Sequence, residues 1–151
     1  MSMKRSCLVL FCLACGALLY PEEQIVCPKW SVSVVGESGD PVAGITVRRS
    51  CQDYSVENTA HQDDATTGAE GRVTFGEIRI RTPRLLKWVG NVTNFVTLDV
   101  HASYGLHAYV FAFGKGLEGS PVSTPVSKGF VEFWTGSPER MESSIVVTAR
   151  S

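Results

Sequence analysis

Neither sign of charge dominates this chain and no long run of like charge appears in it: 14 basic side chains stand against 15 acidic ones over 151 residues, a net charge of −1. Without a basic face the footprint of a nucleic-acid binder or of an anionic-lipid binder is missing, and nucleic acid is not an expected partner. No apolar run reaches the about 20 residues of a membrane-spanning helix. Internal repeats are absent, and so is the alternation of strand and helix patterns that builds a parallel sheet. No Gly-x-Ser-x-Gly turn or Ser-x-x-Lys is found, and Cys27 and Cys51 stand in no Cys-x-x-Cys or Cys/His motif. On these grounds the chain is expected to have no enzymatic activity, no cofactor and no resident metal.

The N-terminus is set apart from the rest. Lys4 and Arg5 precede the apolar run 7–20, the pattern of an export leader. One reading cleaves it after Ala17, with Cys15 and Ala17 as the small residues. The other is a lipoprotein leader acylated at Cys15, because Leu13-Ala14-Cys15 resembles the end of a lipobox, although Cys12 stands where the usual leucine would be. Residues 1–20 are thus a leader and 25–151 a single domain. That domain is expected to be periplasmic, secreted or lipid-anchored to the cell envelope, with membrane contact only through the leader or a lipid anchor.

Either route discounts Cys7 and Cys12, removes or acylates Cys15, and leaves Cys27 and Cys51 as an even pair. In an exported domain such a pair predicts a disulfide; the alternative is two buried thiols or a catalytic cysteine. Residues 34–47 read as two strands around a Gly-Glu-Ser-Gly-Asp-Pro turn. Cys27 and Cys51 are equally far from its centre at Gly39, so they would meet where the two strands end.

Trp30, Val32 and Val34 alternate with serines, and Ile45 and Val47 with Thr46 and Arg48, each a half-buried strand. A polar loop over 52–70 holds a short strand near 64–67. In 72–81 the apolar phase changes at Gly76, as at a bulge or turn. Thr82-Pro83 reads as a helix start, with Leu85, Leu86, Trp88, Val89 and Val92 on a face that ends near 90–94. Residues 95–102 and 106–113 read as a hairpin over Ser103-Tyr104-Gly105. Strands follow at 129–134 and 144–149, after a loop over 114–128. The fold class is all-β, a seven- to eight-stranded Greek-key-type β-sandwich with one short helix near 84–92.

The motif carried by Val35, Gly39, Pro41, Val42, Gly44, Ile45 and Val47, then by Thr67, Gly71, Val73 and Phe75, resembles the carboxypeptidase regulatory-like domain, also called transthyretin-like or prealbumin-like. The resemblance covers about a third of the chain. It implies a transthyretin-like, Ig-like sandwich used as a non-catalytic accessory module on exported bacterial proteins, structural or protein-interacting at the cell envelope, near carbohydrate-binding-like sandwiches. It transfers no site. A related hydrolase of the transthyretin group carries histidines, an arginine and a Tyr-Arg-Gly-Ser tail; here the tail is Thr148-Ala-Arg-Ser151, and the tyrosine is missing.

The hairpin expected over 95–113 supplies the candidate site. Its one face would carry Asp99, His101, His107, Tyr109, Phe111 and Phe113 with Thr97. His101 and His107 would face each other at about 5 Å, close enough to share a divalent ion with Asp99 as a third ligand; a solvated cross-strand pair is the preferred reading. The aromatics could instead stack on a sugar, making the domain a carbohydrate-binding module. The preferred reading buries them beneath the helix at 84–92, because that would remove two apolar sets from water. Asp63, Asp64 and Glu70 read as a solvated acidic loop rather than a calcium site. Arg79 and Arg81 read as a solvated face, and Asn91-Val-Thr93 is a formal glycosylation acceptor. The expected partners are another envelope protein or a carbohydrate, with self-association through edge strands.

Overall fold

The computed structural model describes residues 10, 12–13, 15–98, 105–123 and 140–149. Ten strands follow one another among the described residues: β1 (Pro21–Cys27), β2 (Lys29–Gly36), β3 (Thr46–Asp53), β4 (His61–Thr66), β5 (Arg72–Phe75) and β6 (Ile78–Pro83), then β7 (Leu106–Gly114), β8 (Leu117–Gly119), β9 (Val122–Ser123) and β10 (Arg140–Ala149). One helix, α1 (Arg84–Leu98), stands between β6 and β7. The all-β sandwich is as expected.

The main sheet runs β4-β3-β7-β8-β10-β2-β5, with β9 alongside β7, and β1 and β6 form a separate antiparallel ribbon. Trp30, Val32 and Val34 from β2, Val47 and Cys51 from β3, Leu106, Ala108, Val110 and Ala112 from β7, and Ile145 and Val147 from β10 share one core with Ile45 and Phe75. The period-two pattern accounts for this, since every second residue of β2 and β7 is apolar and buried while its neighbours are not.

The two halves of the glycine-proline motif interlock. Gly39, Gly44 and Gly71 all take positive φ, the conformation that glycine adopts without a Cβ clash. Thr67, buried, accepts the Ile45 N–H at 3.0 Å through its Oγ1 and donates from that oxygen to the Val42 carbonyl at 2.9 Å. The Val34 N–H reaches the Gly71 carbonyl at 2.7 Å.

Three expectations are corrected. Residues 34–47 turn back locally, Val35 bridging Pro41 antiparallel, but do not continue as a two-stranded hairpin: β2 pairs with β10 and β5, whereas β3 pairs with β4 and β7, so the chain passes from one layer to the other. Cys27 and Cys51 nevertheless form the expected disulfide, with Cα atoms 5.6 Å apart, which ties the ribbon to β3. Second, residues 95–98 continue α1 instead of starting a strand. Leu85, Val89, Val92 and Val96 keep helical spacing, whereas the Val96/Leu98 alternation keeps the period of a strand, so local pattern alone did not decide between them. Third, the loop expected over 114–128 carries two short strands, β8 and β9. β2 and β10 run parallel, from Lys29↔Arg140 to Gly36↔Val147. The strand expected over 129–134 lies outside the described residues.

Candidate functional site

The outer face of β4-β3-β7 is built column by column from strand register. Phe113, Phe111, Tyr109 and His107 on β7 stand opposite Thr46, Arg48, Ser50 and Gln52 on β3. Three of those β3 residues stand in turn opposite Thr66, Asp64 and Gln62 on β4. Because successive side chains point to opposite faces, all of these share one side of the sheet, away from the core.

The rings form a row. Tyr109 and Phe111 have centroids 6.2 Å apart with planes 21° apart, and Phe111 and Phe113 are 5.4 Å and 28° apart. His107 meets Tyr54 edge-on at 5.1 Å. The Arg48 guanidinium lies 5.5 Å from the Phe113 centroid and donates twice to Asp64, each bond 2.7 Å long. That pairing holds the Asp64 carboxyl below its ordinary pKa and raises Arg48.

The helix does not cover the row, contrary to the preferred expectation. It packs toward β6 and seats Gly90 against the Ser55 carbonyl, which a Cβ there would meet at 2.2 Å. Tyr109 is 40% exposed, and Phe111 and Phe113 are half-buried. Asp99 and His101 lie outside the described residues. The hairpin meant to bring His101 to His107 is absent at 95–98, and the β3 partner of His107 is Gln52. Among the described residues no three His, Cys, Asp or Glu side chains gather as a metal would require. Cys15, the candidate acyl site, is a half-buried free thiol in the helical stretch 15–19.

Residues read as solvated prove to be paired. Asp63 and Asp64 lie on β4 and engage Arg49 and Arg48, Arg79 engages Glu77, and Arg81 engages Glu23. Arg48 and Asp64 belong to the candidate face, yet only the β3–β4 register, which no motif encodes, brings them under the rings.

A second polar centre went unread because Asp53 falls at the edge of the polar loop. Asp53 is 2% exposed and accepts the Ser55 N–H at 2.9 Å, while Ser55 Oγ accepts the Gly105 N–H at 3.0 Å. Burial pushes the Asp53 carboxyl above its ordinary pKa, against the opposing pull of the Ser55 hydrogen bonds and of Lys87. A carboxyl raised on folding contributes stability that is complete below its unfolded pKa of about 3.9 and is lost as pH rises through the folded value. Asp53→Asn keeps an oxygen for the Ser55 N–H and drops the buried charge. It is therefore expected to melt above the parent at about pH 8 and to converge with it at about pH 3, below the unfolded value of about 3.9. Paired thermal melts at the two pH values check this.

No protein-family profile and no curated protein matches the sequence. Among solved structures the chain is similar to 3-chlorocatechol 1,2-dioxygenase from Rhodococcus opacus 1CP, at 14% identity and a TM-score of 0.47 over 80% of this chain and 59% of that one. It is also similar to chlorocatechol 1,2-dioxygenase from Pseudomonas putida, at 12% identity and a TM-score of 0.40 over 84% and 60%. The chain thus spans 60% or less of these relatives' length. Both are enzymes by name, and the expectation of no enzymatic activity is withdrawn. At such identities the likeness concerns the fold and assigns this chain neither a reaction nor a residue.

Proposed function

We propose that this chain is an exported binding sandwich whose β4-β3-β7 face receives a saccharide. The observation that carries the reading is the row Tyr109, Phe111 and Phe113, left uncovered by α1 and bordered by hydrogen-bonding groups. Rings of this kind can cover the apolar face of a pyranose, and the Arg48–Asp64 pair with Gln52 and Gln62 can take its hydroxyls. The Cys27–Cys51 disulfide and the apolar leader support export.

Tyr109→Ala is expected to weaken binding of an oligosaccharide about tenfold, about 1.4 kcal/mol, through the lost ring contact. Because Tyr109 is exposed, the melting temperature should hardly change. Titration of a mixed oligosaccharide panel followed by amide chemical shifts checks both. Shifts confined to β3, β4 and β7 are the expected result; no shift there with any sugar sinks the proposal. The second reading is a protein-interaction module of the carboxypeptidase regulatory-like kind at the bacterial envelope. The interlocked 34–47 and 67–75 halves favour it, as do the outer edges of the β1–β6 ribbon, which pair with no other strand among the described residues.

A further inference from the structure

Helix α1 is mounted inside out. At about 100° per residue, Leu85, Trp88, Val89, Val92 and Val96 fall on one stripe, and these side chains are between 39% and 74% exposed. The opposite side, with Lys87 and Gly90, is the one turned to the protein. Gly90 rests on the Ser55 carbonyl, and Lys87 is near enough to the buried Asp53 to act on it electrostatically. A polar and small-residue face thus docks the helix, and an apolar face meets solvent, the reverse of an ordinary surface helix.

The chain shows what lies beside that face. In the β1–β6 ribbon Pro21 is paired with Pro83, so the residue before Pro21 and the residue after Pro83 leave the same end of the ribbon. Residues 10–20, which include the exposed Leu10, Leu13, Leu18, Leu19 and Tyr20, enter there, and α1 departs there. Glu22 clamps the junction by accepting from Arg84 at 2.8 and 3.2 Å. Two apolar segments therefore leave the ribbon at the same end. Among the described residues no helix is long and apolar enough to cross a bilayer, and the only charged residues of α1 are the basic Arg84 and Lys87.

We propose that this pole lies on a lipid bilayer, with the Leu85, Trp88, Val89, Val92 and Val96 stripe of α1 sunk into the headgroup and acyl boundary next to the N-terminal apolar segment. An amphipathic helix with an aromatic and basic flanks binds in the interface plane through buried apolar area, helped by anionic headgroups. A single acyl chain or short apolar segment holds a protein on a membrane only marginally, and a second apolar element makes the attachment stable. Leader cleavage after Ala17 would still leave Leu18, Leu19 and Tyr20 beside the helix. Acylation of Cys15 would place the lipid a few residues from it. The lipid contact does not depend on the saccharide face, which lies on other strands.

The test uses the full oxidised chain and vesicles of phosphatidylglycerol and phosphatidylcholine, the latter brominated on its acyl chains. Every chain in the test carries Trp134→Phe, which leaves Trp30, fully buried in the core beyond the reach of lipid, as the one tryptophan besides Trp88. The parent is expected to lose tryptophan emission on binding, and Trp88→Phe to abolish that loss. Val89→Asp with Val92→Asp, at exposed positions that leave the core untouched, should also abolish it while far-ultraviolet circular dichroism stays as in the parent. Flotation with the vesicles but no Trp88-dependent quenching would overturn the proposal, because the N-terminal segment alone would then be the anchor. Failure to float would overturn it as well. So would a dimer that Val89→Asp disperses and that shows no quenching, since a second copy would then be what covers the helix.

Discussion

A chain in which Cys27 and Cys51 are both serine should melt on the order of 10 °C below the parent. The bond closes a loop between residues 24 apart in sequence, and constraining an unfolded loop of that length contributes about 3 to 4 kcal/mol. Set against the about 5 to 15 kcal/mol that hold a domain together, this is a large share. At roughly 2 to 8 °C per kcal/mol for domains of this size range, it corresponds to the stated shift. The location sharpens the expectation. The β1–β6 ribbon shares no hydrogen-bonded strand pair with the main sheet, and the disulfide fastens its β1 end to β3. Hydrogen exchange should therefore rise first in β1, β6 and α1, while β2, β3, β7 and β10 keep the protection of the shared core. Scanning calorimetry of parent and variant, each with and without reductant, measures the first effect. An unchanged melting temperature, or a reductant effect that persists in the double serine variant, would contradict it.

What could be read in the residues was whatever is local. The alternation in 30–34 and 106–112 is a property of neighbouring residues, and the strands lie there. The positive-φ glycines at 39 and 44 were likewise readable from their turn chemistry. The disulfide was also foreseen, but on a wrong geometry. The hairpin that was to bring Cys27 to Cys51 does not form, and the two meet because the end of β1 lies against β3. The parallel β2–β10 pair joins residues more than a hundred positions apart, and nothing in either strand announces its partner.

Helix α1 shows the limit most clearly. Val92, Thr93, Val96 and Thr97 are β-branched and favour strands when taken alone. The helix nevertheless runs through them, and within it Gly90 lies where any Cβ would strike the Ser55 carbonyl, a contact visible only in three dimensions. The same blindness hid the candidate face. Its aromatic column on β7 was legible, since Tyr109, Phe111 and Phe113 fall on one phase of one strand, but its polar columns come from β3 and β4 through register alone. Asp99 and His101 were grouped with them only through a hairpin that the helix replaces at 95–98.

Two adjacent aspartates give the second large effect. Asp63→Ala is expected to cost about 3 kcal/mol, the lower end of what breaking a buried pair costs, whereas Asp64→Ala should cost less than about 1 kcal/mol. The two carboxylates are almost equally exposed, at 41% and 43%, so their own burial predicts no difference. The partners differ. Arg48 is 38% exposed and can rehydrate when Asp64 is lost. Arg49 is 2% exposed, inside the fold. It lies 5.0 Å from the Phe75 ring centroid and donates to the Pro28 and Gly76 carbonyls at 3.0 and 2.6 Å, with Asp63 as its one anionic partner among the described residues. Removing Asp63 strands that guanidinium in the interior with two neutral acceptors. Removing Arg49 as well takes the stranded charge away, so Asp63→Ala combined with Arg49→Met should recover part of the loss; the methionine keeps the packing over Phe75. Urea unfolding of the two single variants and the double variant measures all three free energies. Equal costs for Asp63→Ala and Asp64→Ala would mean that water reaches Arg49 in the folded state.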